Sequence, residues 1–311
     1  MSTLIRTFLT ALTLLVLVLA PPEGLAGDQA RAQTAAPPRA APAVADSLPI
    51  DKDSVKFAVI GDTGTGSRQQ YEVAAQLVAA YKRFPFTLVL MLGDNMYGGE
   101  AQSDFVKKFE TPYKPLLDAG VKFYASLGNH DEPAQRFYKP FNMDGKRFHS
   151  VREDDVEFFA LDSTYMSPAQ LDWLEQSLSR SDAKWKIPFM HHPLYSSGEK
   201  HGSEMDLRQL VEPLFVQHGV DVVLAGHEHF YERLKPQKGI VYITEGGSAK
   251  LRASNIRNNS AMTAKGFDTD QSFILVEIVE DQLFVEAISR RGVVVDSVAI
   301  PRREMVAPST N

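Results

Sequence analysis

Residues 57–64 read Phe-Ala-Val-Ile-Gly-Asp-Thr-Gly, an apolar run that ends directly in a polar turn. The same arrangement recurs four times further along the chain, as LVLML-GDNMY over 88–97, FYASL-GNHD over 123–131, PFM-HH over 188–192 and VVLA-GHEH over 222–229. The unbroken apolar runs predict strands that are covered on both faces. Because loops at the carboxyl ends of such strands converge on one crevice, the five polar turns are expected to form a single site.

Amphipathic helices are predicted between these strands. Ser67 and Ser167 each stand three residues before a glutamine, the spacing of a capping box, so a helix is expected to start at each. A third helix is predicted to begin near Ser203, and Pro213 lies inside it, where a proline can kink or split a helix. The apolar face that this third helix is expected to bury consists of Leu207, Leu210, Val211 and Leu214.

The last third of the chain has a different pattern. Apolar runs at 240–244, 273–279, 283–288 and 293–300 read as successive strands joined by polar turns, and this meander is expected to supply a second sheet. Two sheets face to face with helices outside are the most economical way to bury these surfaces. We therefore predict an α/β (α+β) fold, a four-layer αββα sandwich of two mixed β-sheets with its functional site at the carboxyl ends of strands.

Composition narrows the class of protein. Hydrophobic residues make up 44% and charged residues 23% of the 311 residues, as in soluble globular proteins. The net charge of −6 argues against a general nucleic-acid binder, so no nucleic-acid partner is predicted. The sequence contains no cysteine, which excludes disulfides, thiolate metal ligands and cysteine nucleophiles.

The amino-terminal region has the layout of a secretory signal peptide over 1–26. Its apolar stretch, 7–20, is shorter than the roughly 20 residues of a typical membrane span, which favours a signal peptide. The alternative is an uncleaved membrane anchor. We therefore expect an exported protein, periplasmic or secreted, without a stable membrane span after signal cleavage. The other predicted divisions are an Ala/Pro-rich flexible linker over 27–49, the main domain over 50–303 and a C-terminal tail over 304–311.

The five polar turns supply seven oxygen and imidazole donors, enough to hold two metal ions with one shared carboxylate. One such turn is a weak signal, since a Gly-Asp pair is most often a plain turn. His227 and His229 are stronger, because alternate residues of an extended segment point to the same side. The ordered set of five predicts a dinuclear metal site and metal-assisted hydrolysis of phosphoesters.

These motifs resemble those of the calcineurin-like metallophosphoesterases, and specifically those of the purple acid phosphatases of tartrate-resistant type. The closer resemblance lies in Tyr97 of Gly-Asp-Asn-x-Tyr and in the run AGHEHFYER over 225–233. It covers nearly all of 55–300. Since the additional N-terminal domain of the large plant enzymes is lacking, the chain is similar to the small, single-domain form.

The resemblance implies two neighbouring metal ions. The ferric ion would be held by Asp62, Asp94, Tyr97 and His229. Asp94 would also bridge to a divalent ion, zinc, manganese or Fe(II), held by Asn129, His191 and His227. Carboxylate and phenolate suit a hard trivalent ion, whereas amide oxygen and imidazole suit a divalent one. The alternative is a pair of divalent ions.

Charge counting agrees with a tyrosine ligand. A ferric and a divalent ion carry five positive charges, and two carboxylates, a phenolate and a bridging hydroxide leave about +1 to attract a phosphate dianion. Two divalent ions without the phenolate also leave about +1. Tyr97 is therefore predicted to compensate the extra charge on iron, with simple packing against the loop as the alternative.

Four residues are candidates for catalytic roles beside the metals. In the family, the histidine that corresponds to His130 contacts phosphate and is hydrogen-bonded to a carboxylate. Asp131 or another acidic residue is the candidate for that carboxylate here. Asn129 and His130 would orient the phosphate. His201 lies in a loop that resembles the plant-type loop above the substrate, but Lys200 stands where the family often has another histidine. Either His130 or His201 is therefore the candidate general acid, and His201 could equally be a surface residue without a role.

We therefore predict an exported acid phosphatase that hydrolyses small-molecule phosphate monoesters by attack of a metal-bound hydroxide. A first alternative is a manganese- or zinc-dependent phosphodiesterase or nucleotide hydrolase of the same superfamily. A second is a non-catalytic exported protein that binds metal. The segment between Lys250 and Asp270 is open to three interpretations: a lid, a partner surface or a mobile loop.

Overall fold

The computed structural model describes residues 43–44 and 48–303. Within them the chain forms two seven-stranded sheets and the helices that cover them. The predicted signal peptide, the predicted tail and most of the predicted linker lie outside the described residues. No helix in the described part of the chain is long and apolar enough to cross a membrane.

The secondary structure follows the predicted alternation of strands and helices. The strands are β1 (Ala43–Val44), β2 (Val55–Ile60), β3 (Leu88–Met91), β4 (Lys122–Ala125), β5 (His149–Glu153), β6 (Val156–Ala160), β7 (Trp185–Met190), β8 (Val222–Ala225), β9 (Tyr231–Leu234), β10 (Val241–Glu245), β11 (Thr263–Phe267), β12 (Ser272–Val279), β13 (Gln282–Ser289) and β14 (Val294–Pro301). The α-helices are α1 (Arg68–Tyr81), α2 (Gln102–Phe105), α3 (Thr111–Asp118), α4 (Pro168–Arg180) and α5 (Met205–Gln217). The remaining helical turns are a π-helical turn over Val106–Glu110 and 3₁₀ turns over Pro133–Phe137 and Lys139–Phe141.

The two sheets carry different motifs. The first has the order β1-β14-β13-β12-β2-β3-β4, and its parallel strands β2, β3 and β4 precede the first three motifs. The second has the order β11-β9-β10-β8-β7-β6-β5, and its parallel strands β7 and β8 precede the last two. The carboxyl ends of parallel strands lie at one edge of a sheet, so each sheet presents its motifs at a single edge.

Three apolar clusters separate four layers. The middle cluster joins the inner faces of the sheets, where the rings of Phe57 and Phe158 meet edge to face with centres 4.9 Å apart. On the other face of β2, Ala58 and Ile60 pack with α1 and α3. The outer face of the second sheet is covered by α4 and α5. The apolar strands are thus buried on both faces, and the predicted αββα sandwich is confirmed.

The prediction that the final meander forms the second sheet is wrong. β12, β13 and β14 pair consecutively, but β12 also pairs with β2 and so extends the first sheet. β10 belongs to the second sheet, between β9 and β8. Seven of the eight residues of β12 are buried, as expected for a strand that is paired on both sides and covered on both faces. Within the predicted linker, Ala43–Val44 pairs with Val298 and Ala299 at the edge of the first sheet.

The helix starts agree with the predicted signals. The hydroxyls of Ser67 and Ser167 each accept a hydrogen bond from the backbone N–H of the residue three positions on. The side chains of Gln70 and Gln170 form hydrogen bonds with neighbouring segments, so neither capping box is completed. The third helix begins at Met205, close to the predicted start. Pro213 is exposed within it and does not split it. Leu210, predicted to be buried, is 47% exposed, because the helix packs through the other side of its apolar stripe.

Candidate metal centre

The loops after β2, β3, β4, β7 and β8 meet where the edges of the two sheets come together. Two glycines permit this approach. A Cβ atom on Gly128 would lie 2.2 Å from Asp94 Oδ1, and one on Gly93 would lie 2.8 Å from His191 Cβ. Any larger residue at either position would therefore push the loops apart.

Three of the predicted ligands occupy the left-handed backbone region, with φ of 55° at Asp62, 49° at Asp94 and 68° at His227. This conformation is uncommon outside glycine and persists where the surrounding structure fixes it, typically at functional sites. The His227 N–H donates to Asp62 Oδ2 at 2.8 Å, so the first and fifth motifs fix each other.

A first group of donors surrounds the carboxylates of Asp62 and Asp94. The Tyr97 hydroxyl lies 2.8 Å from Asp62 Oδ1 and 2.8 Å from Asp94 Oδ2. His229 Nε2 lies 3.3 Å from Asp62 Oδ1 and 3.4 Å from the Tyr97 hydroxyl. A phenol has one proton and can donate it to one carboxylate at a time, so acceptors outnumber protons in this group. A cation would compensate that excess.

A second group lies on the other side of Asp94. His191 Nε2 is 2.9 Å from Asn129 Oδ1, 3.0 Å from His227 Nδ1 and 3.4 Å from Asp94 Oδ1. His191 Nδ1 faces the Leu92 carbonyl at 3.0 Å, which places the ring proton on Nδ1 and leaves a lone pair on Nε2. The lone pair on His191 Nε2 faces the side-chain oxygens of Asn129 and Asp94, which also carry lone pairs and repel it unless a cation lies among the three atoms.

The two groups share Asp94, whose Oδ2 faces the first and whose Oδ1 faces the second. Ligand atoms of Asp62, Asp94 and His191 all lie within 4.8 Å of one another. The structure thus brings all seven predicted ligands together, and their chemistry fits two neighbouring metal ions with one shared carboxylate.

Burial sets the protonation of these side chains in the metal-free protein. It raises the pKa of Asp62 well above its usual range, and the neighbouring Asp94 adds to the effect. It also raises the pKa of Tyr97, with both carboxylates contributing. It lowers the pKa of His227 to about 2 and that of His229 to about 4. The imidazoles are therefore neutral and able to bind metal, and a bound cation would favour ionised carboxylates and a phenolate.

His130 lies at the exposed rim of the site. Its N–H donates to Asp94 Oδ1 at 2.9 Å, and its ring centre is 5.0 Å from that of Tyr97. In the described part of the chain no hydrogen bond joins Asp131 to the His130 ring, so the structure gives Asp131 a different role from the one predicted. Its carboxylate holds two loops together by accepting backbone N–H groups at 2.8, 3.1 and 3.0 Å from Gly128, Asn95 and Met96.

Two further histidines lie over the second group. The ring of His201 stacks on that of His227, with centres 4.3 Å apart, and its Nδ1 is 3.9 Å from Glu228 Oε2. The ring of His192, whose direction the sequence left open, is centred 4.5 Å from that of His227. Its Nδ1 lies 3.0 Å from Ser163 Oγ. His201 thus lies against one of the predicted metal ligands, although it is exposed to solvent.

Sequence reasoning missed two cations at the rim. Lys250 Nζ lies 4.3 Å from the centre of the Tyr97 ring. Arg252 donates its backbone N–H to the His229 carbonyl at 2.9 Å and its Nη1 to Glu228 Oε2 at 3.3 Å. Both belong to the segment whose role the sequence left open. The sequence signal close to them is the pair Gly246-Gly247 directly after β10.

Comparisons with known proteins identify the family of the chain. Residues 55–231, more than half of the chain, match the calcineurin-like phosphoesterase family. Purple acid phosphatase 17 of Arabidopsis thaliana is 30% identical over 240 residues, covering 65% of this chain and 71% of that protein. Purple acid phosphatase 4 of the same plant is 27% identical over 280 residues, covering 78% and 82%.

The fold is also found in a solved structure. The structure of purple acid phosphatase PPD1 from yellow lupin (Lupinus luteus) seeds matches with a TM-score of 0.72 at 19% identity, over 85% of this chain and 58% of that one. The family match spans the loops that supply all seven donors. The chain therefore belongs to the calcineurin-like phosphoesterases and, within them, to the purple acid phosphatases, which are metal-dependent hydrolases of phosphoric esters.

Proposed function

We propose that this protein is an exported acid phosphatase that hydrolyses phosphate monoesters at a centre of one ferric and one divalent ion. The position of Tyr97 carries the proposal. Its hydroxyl lies 2.8 Å from a carboxylate oxygen of both Asp62 and Asp94, which supports the proposal that its phenolate binds the same ion as they do. A phenolate favours a hard trivalent ion, and a centre of two divalent ions does not need it for charge balance.

The second ion is proposed to be divalent and to lie between Asp94, Asn129, His191 and His227. Amide oxygen and imidazole suit zinc, manganese or Fe(II). When bound, the two ions would draw phosphate oxygens towards them and lower the pKa of a bound water.

The side chains around the centre bind and orient the substrate. Asn129 and His130 are exposed beside both donor groups, where they can bind phosphate oxygens. Lys250 adds positive charge next to Tyr97. His201 is the proposed proton donor to the leaving alkoxide, because its Nδ1 faces Glu228 and the doubly protonated ring carries its second proton on Nε2, which is free to give it away. His130 is the alternative donor.

Metal content and substrate choice test this proposal together. The metal-loaded protein would be assayed on an aryl phosphate monoester and a diaryl diester from acidic to alkaline pH. We expect one iron and one divalent ion per chain, with monoester hydrolysis fastest at mildly acidic pH. Two divalent ions with a preference for the diester would contradict the proposal and favour a phosphodiesterase. Failure to hydrolyse either ester would favour a non-catalytic metal-binding protein.

We also propose that residues 1–26 are a cleaved signal peptide and that 50–303 form the catalytic domain. The order of basic, apolar and small residues supports export. Amino-terminal sequencing of the protein from the cell exterior or periplasm would test it. A mature start near Gly27 is expected, whereas a chain that keeps Met1 in the membrane fraction would contradict cleavage and favour an uncleaved anchor.

A further inference from the structure

Glu228 lies between the two histidines of the fifth motif, and its carboxylate has been named so far only as a group that His201 and Arg252 face. That side chain is fully buried, whereas His227 and His229 on either side face the donor groups. A buried carboxylate is costly unless it has hydrogen-bonding or charged partners. The partners of Glu228 therefore indicate what it does.

Those partners come from two segments outside the motif. The hydrogen bonds to the carboxylate come from Gly202 N–H at 2.8 Å, Ser196 Oγ at 3.5 Å, Arg252 Nη1 at 3.3 Å and Asn255 Nδ2 at 3.3 Å. In addition, His201 Nδ1 lies 3.9 Å from Oε2. Glu228 thus connects the metal-binding motif with the loop that carries His201 and with the segment that carries Arg252.

The His201 loop, residues 196–202, is fitted closely over this carboxylate. A Cβ atom on Gly198 would lie 2.1 Å from Glu228 Oε1, so the loop could not approach as it does with a larger residue there. Two backbone hydrogen bonds, of 2.8 and 3.0 Å, also join the loop to residues 255–257. The course of the loop is therefore fixed by the carboxylate beneath it and by the segment beside it.

We propose that Glu228 is a positioning residue that seats His201 over the metal centre as the proton donor for the leaving group. Its carboxylate holds the loop and faces Nδ1, while the ring of His227 supports that of His201 by stacking. The doubly protonated ring gives the proton on Nε2 to the leaving alkoxide oxygen as its P–O bond breaks, which leaves a neutral ring protonated on Nδ1, and Nε2 then regains a proton from solvent. This inference rests on the proposed function, because it takes His201 as the donor.

Glu232 provides a matched control. It is also fully buried and also holds the His201 loop, because it accepts the Ser197 N–H at 2.9 Å. Its other oxygen accepts the Thr263 hydroxyl at 2.6 Å. No ion pair or hydrogen bond joins Glu232 to His201 in the part of the chain that the structure describes. Glu232→Gln therefore changes a buried contact of the same loop but keeps the Glu228 carboxylate, which faces His201 and accepts the Gly202 N–H.

Leaving-group dependence separates positioning of a proton donor from general damage. Metal-loaded variants would be assayed on ethyl phosphate, whose alkoxide needs a proton, and on 2,4-dinitrophenyl phosphate, whose phenolate leaves without one. We expect Glu228→Gln to lower kcat/KM for ethyl phosphate by about 10- to 100-fold, and for the dinitrophenyl ester by less than about 3-fold. Glu232→Gln should lower kcat/KM for the two esters by the same factor. Glu228→Gln combined with His201→Asn should be no worse on ethyl phosphate than His201→Asn alone.

Several results would overturn the inference. These are equal losses on both esters in Glu228→Gln, additive losses in the double variant, or the same selective loss in Glu232→Gln. Elemental analysis accompanies each assay, and loss of metal from Glu228→Gln would show that the residue serves the ligands rather than His201. If Glu228→Gln does not fold, Glu228→Asp should show the same selective loss, because the shorter side chain draws the carboxylate away from Nδ1. A wild-type protein inactive on both esters would refute the proposed function itself, which is a distinguishable outcome.

Discussion

His149 determines a measurable part of how stability depends on pH. It lies in β5, is 7% exposed, and neither ring nitrogen has a hydrogen-bond partner among the described residues. Burial, with a smaller contribution from Lys146, lowers its pKa from 6.5 to about 4. The folded protein therefore keeps this imidazole neutral at pH values at which the unfolded chain protonates it.

The sign and size of the effect follow from this difference. Since the unfolded chain binds the proton first, the free energy of unfolding falls as pH drops below 6.5, and the loss is nearly complete at pH 4. The interval from 6.5 to about 4 is worth about 3 kcal/mol, at about 1.4 kcal/mol per pH unit. His149→Leu removes the titrating group at similar volume. Between pH 7 and pH 4 the free energy of unfolding of the His149→Leu variant should therefore fall by about 3 kcal/mol less than that of the wild type.

Urea unfolding of both proteins at the two pH values, in the presence of a chelator, measures this difference. Groups that titrate equally in both proteins cancel. At pH 7 the variant should already be more stable by about 1–3 kcal/mol, because an unpartnered polar ring has been replaced by an apolar side chain. His218→Leu is the control. His218 is only partly buried and should show a smaller pH-dependent difference. Parallel pH dependence of the wild type and His149→Leu would refute the reasoning.

Three further predictions concern the metal centre. Tyr97→Phe removes only the phenolic oxygen beside Asp62 and Asp94, so the metal-loaded variant should lack the visible tyrosinate-to-iron absorption of the wild type; a spectrum that keeps this band would count against the ferric site. Gly128→Ala places a methyl group 2.2 Å from Asp94 Oδ1. Elemental analysis should therefore show loss of metal, and urea unfolding should show that the free energy of unfolding falls by about 1–3 kcal/mol. Full metal content would contradict this. In the metal-free protein the pKa of Asp62 is raised, so the stability that its protonated carboxyl contributes at low pH is lost as pH rises. Asp62→Asn should therefore become more stable relative to the wild type as pH increases. A difference in thermal unfolding temperature that stays constant with pH would contradict this.

The layers and the convergence of the site could be predicted because each depends on local signals. Each motif follows an apolar run, and the absence of charged residues within the runs predicts cover on both faces. The glycines of Gly-Asp and Gly-Asn turns mark the positions where loops approach one another. Ser67 and Ser167 mark helix starts by a hydrogen bond within one turn. These signals do not depend on distant parts of the chain.

Long-range pairing could not be predicted from the sequence in the same way. The apolar pattern of the strand over 272–279 does not specify which sheet it joins, and its pairing with 55–60 has no local signal. The same limit applies to side chains around the centre. Asp131 is adjacent to His130 but bonds to the loops on its other side. Glu228 receives all its side-chain partners from segments 24 or more residues away in the chain.

Anomalous X-ray diffraction from crystals of the metal-loaded protein tests the central claim most directly. Two peaks about 3.5–4 Å apart are predicted, one beside Tyr97 and the other beside His191, with Asp94 between them. Data collected on either side of the iron absorption edge should assign iron to the peak beside Tyr97. A single peak, or metal bound away from these side chains, would contradict the account.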